Sequence, residues 1–140
     1  MIILYKSIII AVDDSKNARR AVKEVINFNT TDIHVTLVHV KDAIATRDSL
    51  LHKRDAISEK QEALNWLQLS LDFLEDNDIR YEVKLLHGLI EETLLDEINN
   101  GSYDVVLIGR TGKNIIKDFI VGSVSKRIIK ASNIPVLVVN

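Results

Sequence analysis

The sequence predicts an α/β domain built on a parallel sheet covered by helices on both faces, and three observations predict it. Short β-branched runs alternate with helical patterns along the whole chain. Those runs are continuously apolar rather than alternating, as strands buried on both sides are. The 140 residues suit one domain, residues 1–140, and are enough to bury a core without staples.

The first run, Ser7 to Val12, reads as a buried strand ended by Asp13 and Asp14. Ser15 is placed as a helix N-cap, and Ala18, Ala21, Val22, Val25 and Ile26 recur at helical spacing behind it. Ile33 to Val40 is the second strand, entered through Thr30, Thr31 and Asp32. Asp42 to Asp55 is polar and mixed, and reads as a loop or a helical lead-in. Ser58 and Gln61 match a capping box, ahead of a helical stripe of Leu64, Leu67, Leu71 and Leu74.

Arg80 to Leu86 is the third strand. Ile90, Leu94 and Ile98 mark the third helix, with Gly101 as its C-terminal cap. Asp104 to Ile108 is the fourth strand, and Val121 to Ala131, carrying Val124, Ile128 and Ile129, the fourth helix. Pro135 opens a last strand, Val136 to Val139, and a proline there points to a sheet edge.

Composition narrows the function classes. The chain has no cysteine, which excludes disulfides and thiol-based zinc sites. A net charge of −2 is far from the basic balance of nucleic-acid binders. The apolar N-terminus is interrupted by Lys6 and ended by Asp13, so a buried strand is expected there, not a membrane span or signal peptide. The expected location is the cytoplasm. The histidines at 34, 39, 52 and 87 have no metal-ligand spacing, and His39 reads as a satisfied core histidine. Trp66 adjoins the leucine stripe and is assigned to packing. Lys126, Arg127 and Lys130 are assigned to a solvated face.

Ligands of open parallel sheets sit beyond the carboxyl ends of the strands, where the winding reverses. Two positions there are chemically pointed. After the fourth strand, Gly109 and Gly112 are followed by Gly122, Ser123 and Ser125. Glycines let a backbone approach anionic oxygens, and a helix start with free N–H groups and hydroxyls favours negative charge. Arg110, Lys113 and Lys117 add positive charge nearby. Taken singly, the glycines could make a tight turn and Ser123 cap a helix. At the end of the first strand, Asp13 either holds ribose hydroxyls or caps the next helix. There is no Walker-type loop and no Gly-x-Gly-x-x-Gly, so neither a P-loop NTPase nor a dinucleotide site is expected. Asp13 and Asp14 match the acidic pair of receiver domains, but no Asp follows the third strand, where Leu86, His87 and Gly88 stand.

At these residues the chain resembles the universal stress protein family, in its ATP-binding branch. The likeness covers Ile9 to Ser15, Leu37 to Val40, Val105 to Gly109, Gly122 to Ser125 and Ile134 to Val139. The family signature of glycine, two residues, glycine, nine residues, glycine and Ser or Thr is met by Gly109, Gly112, Gly122 and Ser123.

The resemblance implies a doubly wound, open five-stranded sheet in order 3-2-1-4-5, of the adenine nucleotide alpha hydrolase-like type. It implies a nucleotide held between the first and fourth strands. Ala11 and Val12 would border the base and Val40 meet adenine through its backbone. Asp13 would hold the ribose. Gly109, Gly112, Gly122, Ser123 and Ser125 would hold the phosphates, with Ile108, Arg110 and Val124 beside them. ATP with Mg2+ or Mn2+ is the implied ligand, and a homodimer through Val136 to Val139 the implied assembly. Neither nucleic acid nor membrane is an expected partner. The implied role is a regulatory stress-response protein, with at most slow hydrolysis or autophosphorylation. One departure stands out: Thr111 occupies a position that is often Arg or His in the family. A dimeric interaction protein that binds no nucleotide is therefore the alternative.

Overall fold

The computed structural model describes residues 5–13, 16–28, 32–42, 56–110 and 123–140. Five strands, β1 (Ser7–Ala11), β2 (His34–Asp42), β3 (Arg80–Gly88), β4 (Val105–Gly109) and β5 (Val136–Val139), form one sheet in the order β3-β2-β1-β4-β5. Every neighbouring pair is parallel. Between them run α1 (Lys16–Glu24), α2 (Ala56–Asp76), α3 (Ile90–Asn100) and α4 (Ser123–Ala131). The expected strand order and the expected alternation are both present.

The sheet is parallel because its strands can be buried on both faces. Ile8, Ile9 and Ile10 are consecutive and wholly inaccessible, which no strand with a wet face would show. Successive side chains point to opposite sides. Ile8, Ile10, Val35, Leu37, Val105 and Leu107 therefore pack with Ala21 and Val22 of α1 and Leu67, Leu71 and Leu74 of α2. Ile9, Val38, Val106 and Ile108 pack with Leu94, Leu95 and Ile98 of α3 and Ile128 of α4. Each such Val, Leu or Ile side chain contributes roughly 1.5–3 kcal/mol on burial.

Three local expectations need correction. Ile26 was expected on the buried stripe, but it is 56% exposed. The helix tightens at Val25–Asn27 into a 3-10 turn, whose three residues per turn keep Val25 inside and swing Ile26 out. Ser58 and Gln61 do not start α2, which already runs from Ala56. Gln61 instead donates along the helix to Asn65 Oδ1 at 3.0 Å. Ile129 is largely exposed, because Ser125 and Ile128 define the inward line of α4 and the next residue lies a quarter-turn away. The proposed N-cap Ser15 and most of Asp42 to Asp55 lie outside the described residues, although Asp42 itself ends β2.

Gly101 does cap α3, its N–H donating to Glu97 O at 3.0 Å. Its φ of −83° is not left-handed. Glycine is required there because a Cβ would run into the Tyr103 ring. Among the described residues no helix is long and apolar enough to cross a membrane.

Candidate functional site

The winding reverses between β1 and β4. From β1 the chain winds outward to β2 and β3, and from β4 it winds the other way to β5. Ala11 pairs with Ile108 at the carboxyl ends of the two strands. Asp13 lies two residues beyond that pair, past the end of β1, and Gly109 one residue beyond it, as the last residue of β4.

One wall of this crevice is apolar. Ala11, Val40, Ile108 and Val124 all belong to the core layer under α3 and α4. Val40, at the end of β2, and Ile108 are buried, while Ala11 is only partly covered. Val124 brings the first turn of α4 to this same layer. Ser123 is exposed, and Ser125 is 8% exposed with no hydrogen-bond partner for its hydroxyl among the described residues. A buried hydroxyl in the first turn of a helix, where N–H groups point out of the helix start, fits an acceptor-rich anionic ligand.

Arg110 is placed differently from the other candidates. Its backbone N–H donates to Val139 O at 2.8 Å, and its guanidinium reaches Asn140 Oδ1 at 3.4 Å. Those contacts draw it toward β5, on the far side of β4 from Asp13. Gly112 and Gly122, with Thr111, Lys113 and Lys117, lie outside the described residues, as do Asp14 and Ser15.

Asp13 also borders a second feature that the motifs did not reveal. On the α2 side of the sheet ends, Asp13, His39, Lys41, Glu59, Glu62, Ala63 and Trp66 line a half-open cleft of about 190 Å³. Glu59 is the buried carboxylate of this cleft. It accepts from His87 Nε2 at 2.9 Å and lies 3.9 Å from Lys41 Nζ. These contacts tie the first turn of α2 to the ends of β2 and β3. His39 is satisfied, as expected: its Nδ1 lies 2.9 Å from Val12 O, and its ring stands edge-on to Trp66 with centroids 4.9 Å apart. Trp66 packs on the core layer of α1 and α2 and lines the cleft as well. Among the described residues no group of three or more His, Asp or Glu is placed to hold a metal ion.

The groups with displaced protonation lie elsewhere. Lys84 of β3 donates to Glu97 of α3 at 2.7 Å, and Tyr103 donates to the same carboxylate at 2.9 Å. The Lys84 bond, against opposing desolvation and with help from Tyr103, holds the Glu97 carboxyl below its usual range. Burial and the bond to Glu97 push the Tyr103 hydroxyl up.

The geometry has counterparts of known structure. The family model of the universal stress proteins matches residues 4–140. The chain is 31% identical to universal stress protein MJ0577 of Methanocaldococcus jannaschii over 99% of this chain and 97% of that one. The MJ0577 structure superposes with a TM-score of 0.83, covering 98% of this chain and 96% of that one at 30% identity. Two further structures share the fold at lower identity. One is a universal stress protein family protein from Arabidopsis thaliana with AMP bound, with a TM-score of 0.69 and 18% identity over 96% of this chain and 90% of that one. The other is the universal stress protein from Archaeoglobus fulgidus in complex with dAMP, with a TM-score of 0.66 and 21% identity over 99% of this chain and 100% of that one. The strand order is that of the matched structures, the family match runs from residue 4 to residue 140, and the chain belongs to the universal stress protein family.

Proposed function

We propose that the chain, as one domain, binds ATP between the ends of β1 and β4 and acts as a nucleotide-dependent regulatory protein of the stress response. The observation that carries this reading is the pairing of Ala11 with Ile108, which brings the chain leaving β1 at Asp13 beside the end of β4 at Gly109. In this reading Ala11 and Val12 border the base, Val40 meets adenine through its backbone, and Asp13 accepts from the ribose hydroxyls. The amides of Gly109, Gly112 and Gly122, the N-terminal amides of α4 at Val124 and the hydroxyls of Ser123 and Ser125 face the phosphates. The buried Ser125 hydroxyl, without a hydrogen-bond partner among the described residues, supports this arrangement. So does the binding of AMP and dAMP by proteins of the same fold.

Mg2+ or Mn2+ would screen phosphate charge, coordinated mainly by the nucleotide itself. In this reading hydrolysis of the bound nucleotide is slow at most. The protein works in the cytoplasm as a homodimer joined through β5.

Mass spectrometry of nucleotide released from freshly purified, denatured protein, paired with calorimetric titration of ATP, tests the reading. Bound adenine nucleotide or micromolar ATP binding, abolished in Gly122→Val with the fold intact, is the expected result. No nucleotide by either method overturns it.

A second reading has its own observation. Thr111 stands where a basic side chain is common in the family, and Arg110 is engaged at Asn140. A dimeric interaction protein with an empty crevice would leave both measurements blank while keeping the dimer.

A further inference from the structure

We propose that His39 is a positioning residue for the Asp13 turn, acting through its hydrogen bond to the Val12 carbonyl. The inference rests on the reading of Asp13 as the ribose partner, and names what aims it.

The ladder between β1 and β2 ends at Ala11 and Val38. Val12 still donates its N–H to Val38 O at 2.9 Å. Its carbonyl is taken by the imidazole of His39, with Nδ1 at 2.9 Å. A carbonyl oxygen only accepts, so Nδ1 carries the proton. His39 lies on the α2 face of β2, between Val38 and Val40, which face α3 and α4. The Val12 carbonyl is thus turned toward α2. In a planar trans peptide the N–H points opposite to the C=O. The N–H of Asp13 is therefore turned toward the other face, where Ala11, Val40 and Ile108 form the apolar wall. One side chain orients the peptide that presents Asp13 to the crevice.

Trp66 holds that side chain in turn. Its ring meets the imidazole at 78° with centroids 4.9 Å apart, the edge-to-face geometry that aromatic pairs favour. The helix α2 thereby acts on a crevice that it does not line on the nucleotide side.

The test compares His39→Asn, whose amide nitrogen sits where Nδ1 sits, with His39→Leu, of similar bulk and no donor. His39→Gln, which carries its amide past that point, serves as a second donor-misplaced variant should His39→Leu not fold. Calorimetry with AMP and with adenine separates binding that needs the ribose phosphate from binding of the base alone, and the Asp13 amide resonance reads the turn without any ligand.

In His39→Leu or His39→Gln, AMP affinity falls by about fivefold or more, the scale of one lost hydrogen bond, while adenine affinity is unchanged. His39→Asn keeps both, and its Asp13 resonance stays at the wild-type position while that of the other variants moves. Unchanged AMP affinity in His39→Leu, equal losses for AMP and adenine, or a His39→Asn as weak as the others overturns the proposal. If the wild type binds neither ligand, the nucleotide reading fails by itself, and the Asp13 resonance then decides the positioning role. Movement in His39→Leu but not in His39→Asn upholds that role, and any other pattern overturns it.

Discussion

The Asp104 carboxylate caps the start of β1: Oδ2 accepts from the backbone N–H groups of Lys6 and Ser7, both at 2.9 Å. The backbone N–H of Asp104 donates to Ser7 O at 2.8 Å. The two strands that frame the crevice are thus fixed at their amino ends by one residue, which sets the register that brings Ala11 beside Ile108. Asp104→Ala leaves two backbone donors without their acceptor, at a cost of about 1–3 kcal/mol. Urea unfolding reads this as a lower midpoint with an unchanged slope. A midpoint equal to wild type shows that water replaces the carboxylate without loss.

The end of α2 stores a removable strain. Asp78 has φ of 56°, in the left-handed region. Ile79 N–H donates to Leu74 O at 2.9 Å and Asp78 N–H to Glu75 O at 3.1 Å. This is the Schellman arrangement, in which glycine is the favoured residue at the left-handed position. Asp78→Gly relieves the Cβ at that φ and keeps both bonds. The expected outcome is a gain of about 0.5–1 kcal/mol, read as a higher thermal midpoint. A lower midpoint means that the Asp78 side chain contributes more than its backbone costs.

Lys84, Glu97 and Tyr103 tie α3 to β3 and make a defined contribution to acid stability. The Lys84 bond holds the Glu97 carboxyl below its ordinary value of 4.5. A depressed carboxyl stabilises the fold above its unfolded-state value, and that stability disappears as pH falls through the folded value. The loss therefore lies below about pH 4.5. The raised Lys84 works in the opposite direction, its share being lost only in strong alkali. The lysine is more than one-third exposed, so solvent screening limits the pair to about 1 kcal/mol or less near neutrality. In Glu97→Gln the wild-type drop in urea midpoint below that pH becomes shallower. Parallel pH profiles for the two proteins would assign the acid sensitivity to other carboxylates.

Much of this architecture is written locally. Ile8 to Ile10 is an unbroken apolar run, and only a strand covered on both faces accommodates it. Asp13 and Gly109 stand out because strand ends at a winding reversal are where ligands bind, and both strand ends are visible in the sequence. Glu59 was not legible. Its partners Lys41 and His87 come from two other strand ends, and no periodicity encodes that meeting. The capping-box pattern at Ser58 and Gln61 misled because it is satisfied by a short string of residues, whereas α2 already includes Ala56 and Ile57. Trp66 was assigned to packing, and it does pack. Its second role, against His39, depends on how far α2 reaches along the sheet.

The two sheet edges differ in a way that bears on assembly. The β3 edge carries Arg80, Glu82, Lys84 and His87, charged and polar groups of the kind that discourage strand pairing. The β5 edge is Val-Leu-Val-Val, with Leu137 exposed and no charge between Val136 and Val139. β4 occupies one side of β5, and among the described residues no strand pairs with its other side, where a second copy would add. In an isologous pairing of so short a strand, every substitution recurs near its own symmetry mate. Leu137→Lys then sets two like charges close together across the junction, which destabilises cross-strand pairs. The expected outcome is a dimer for wild type by light scattering and a monomer for Leu137→Lys at the same micromolar concentration. The variant should keep its far-ultraviolet circular dichroism, because Leu137 faces out of the fold. A dimer that survives Leu137→Lys moves the interface away from β5, and a monomeric wild type removes it.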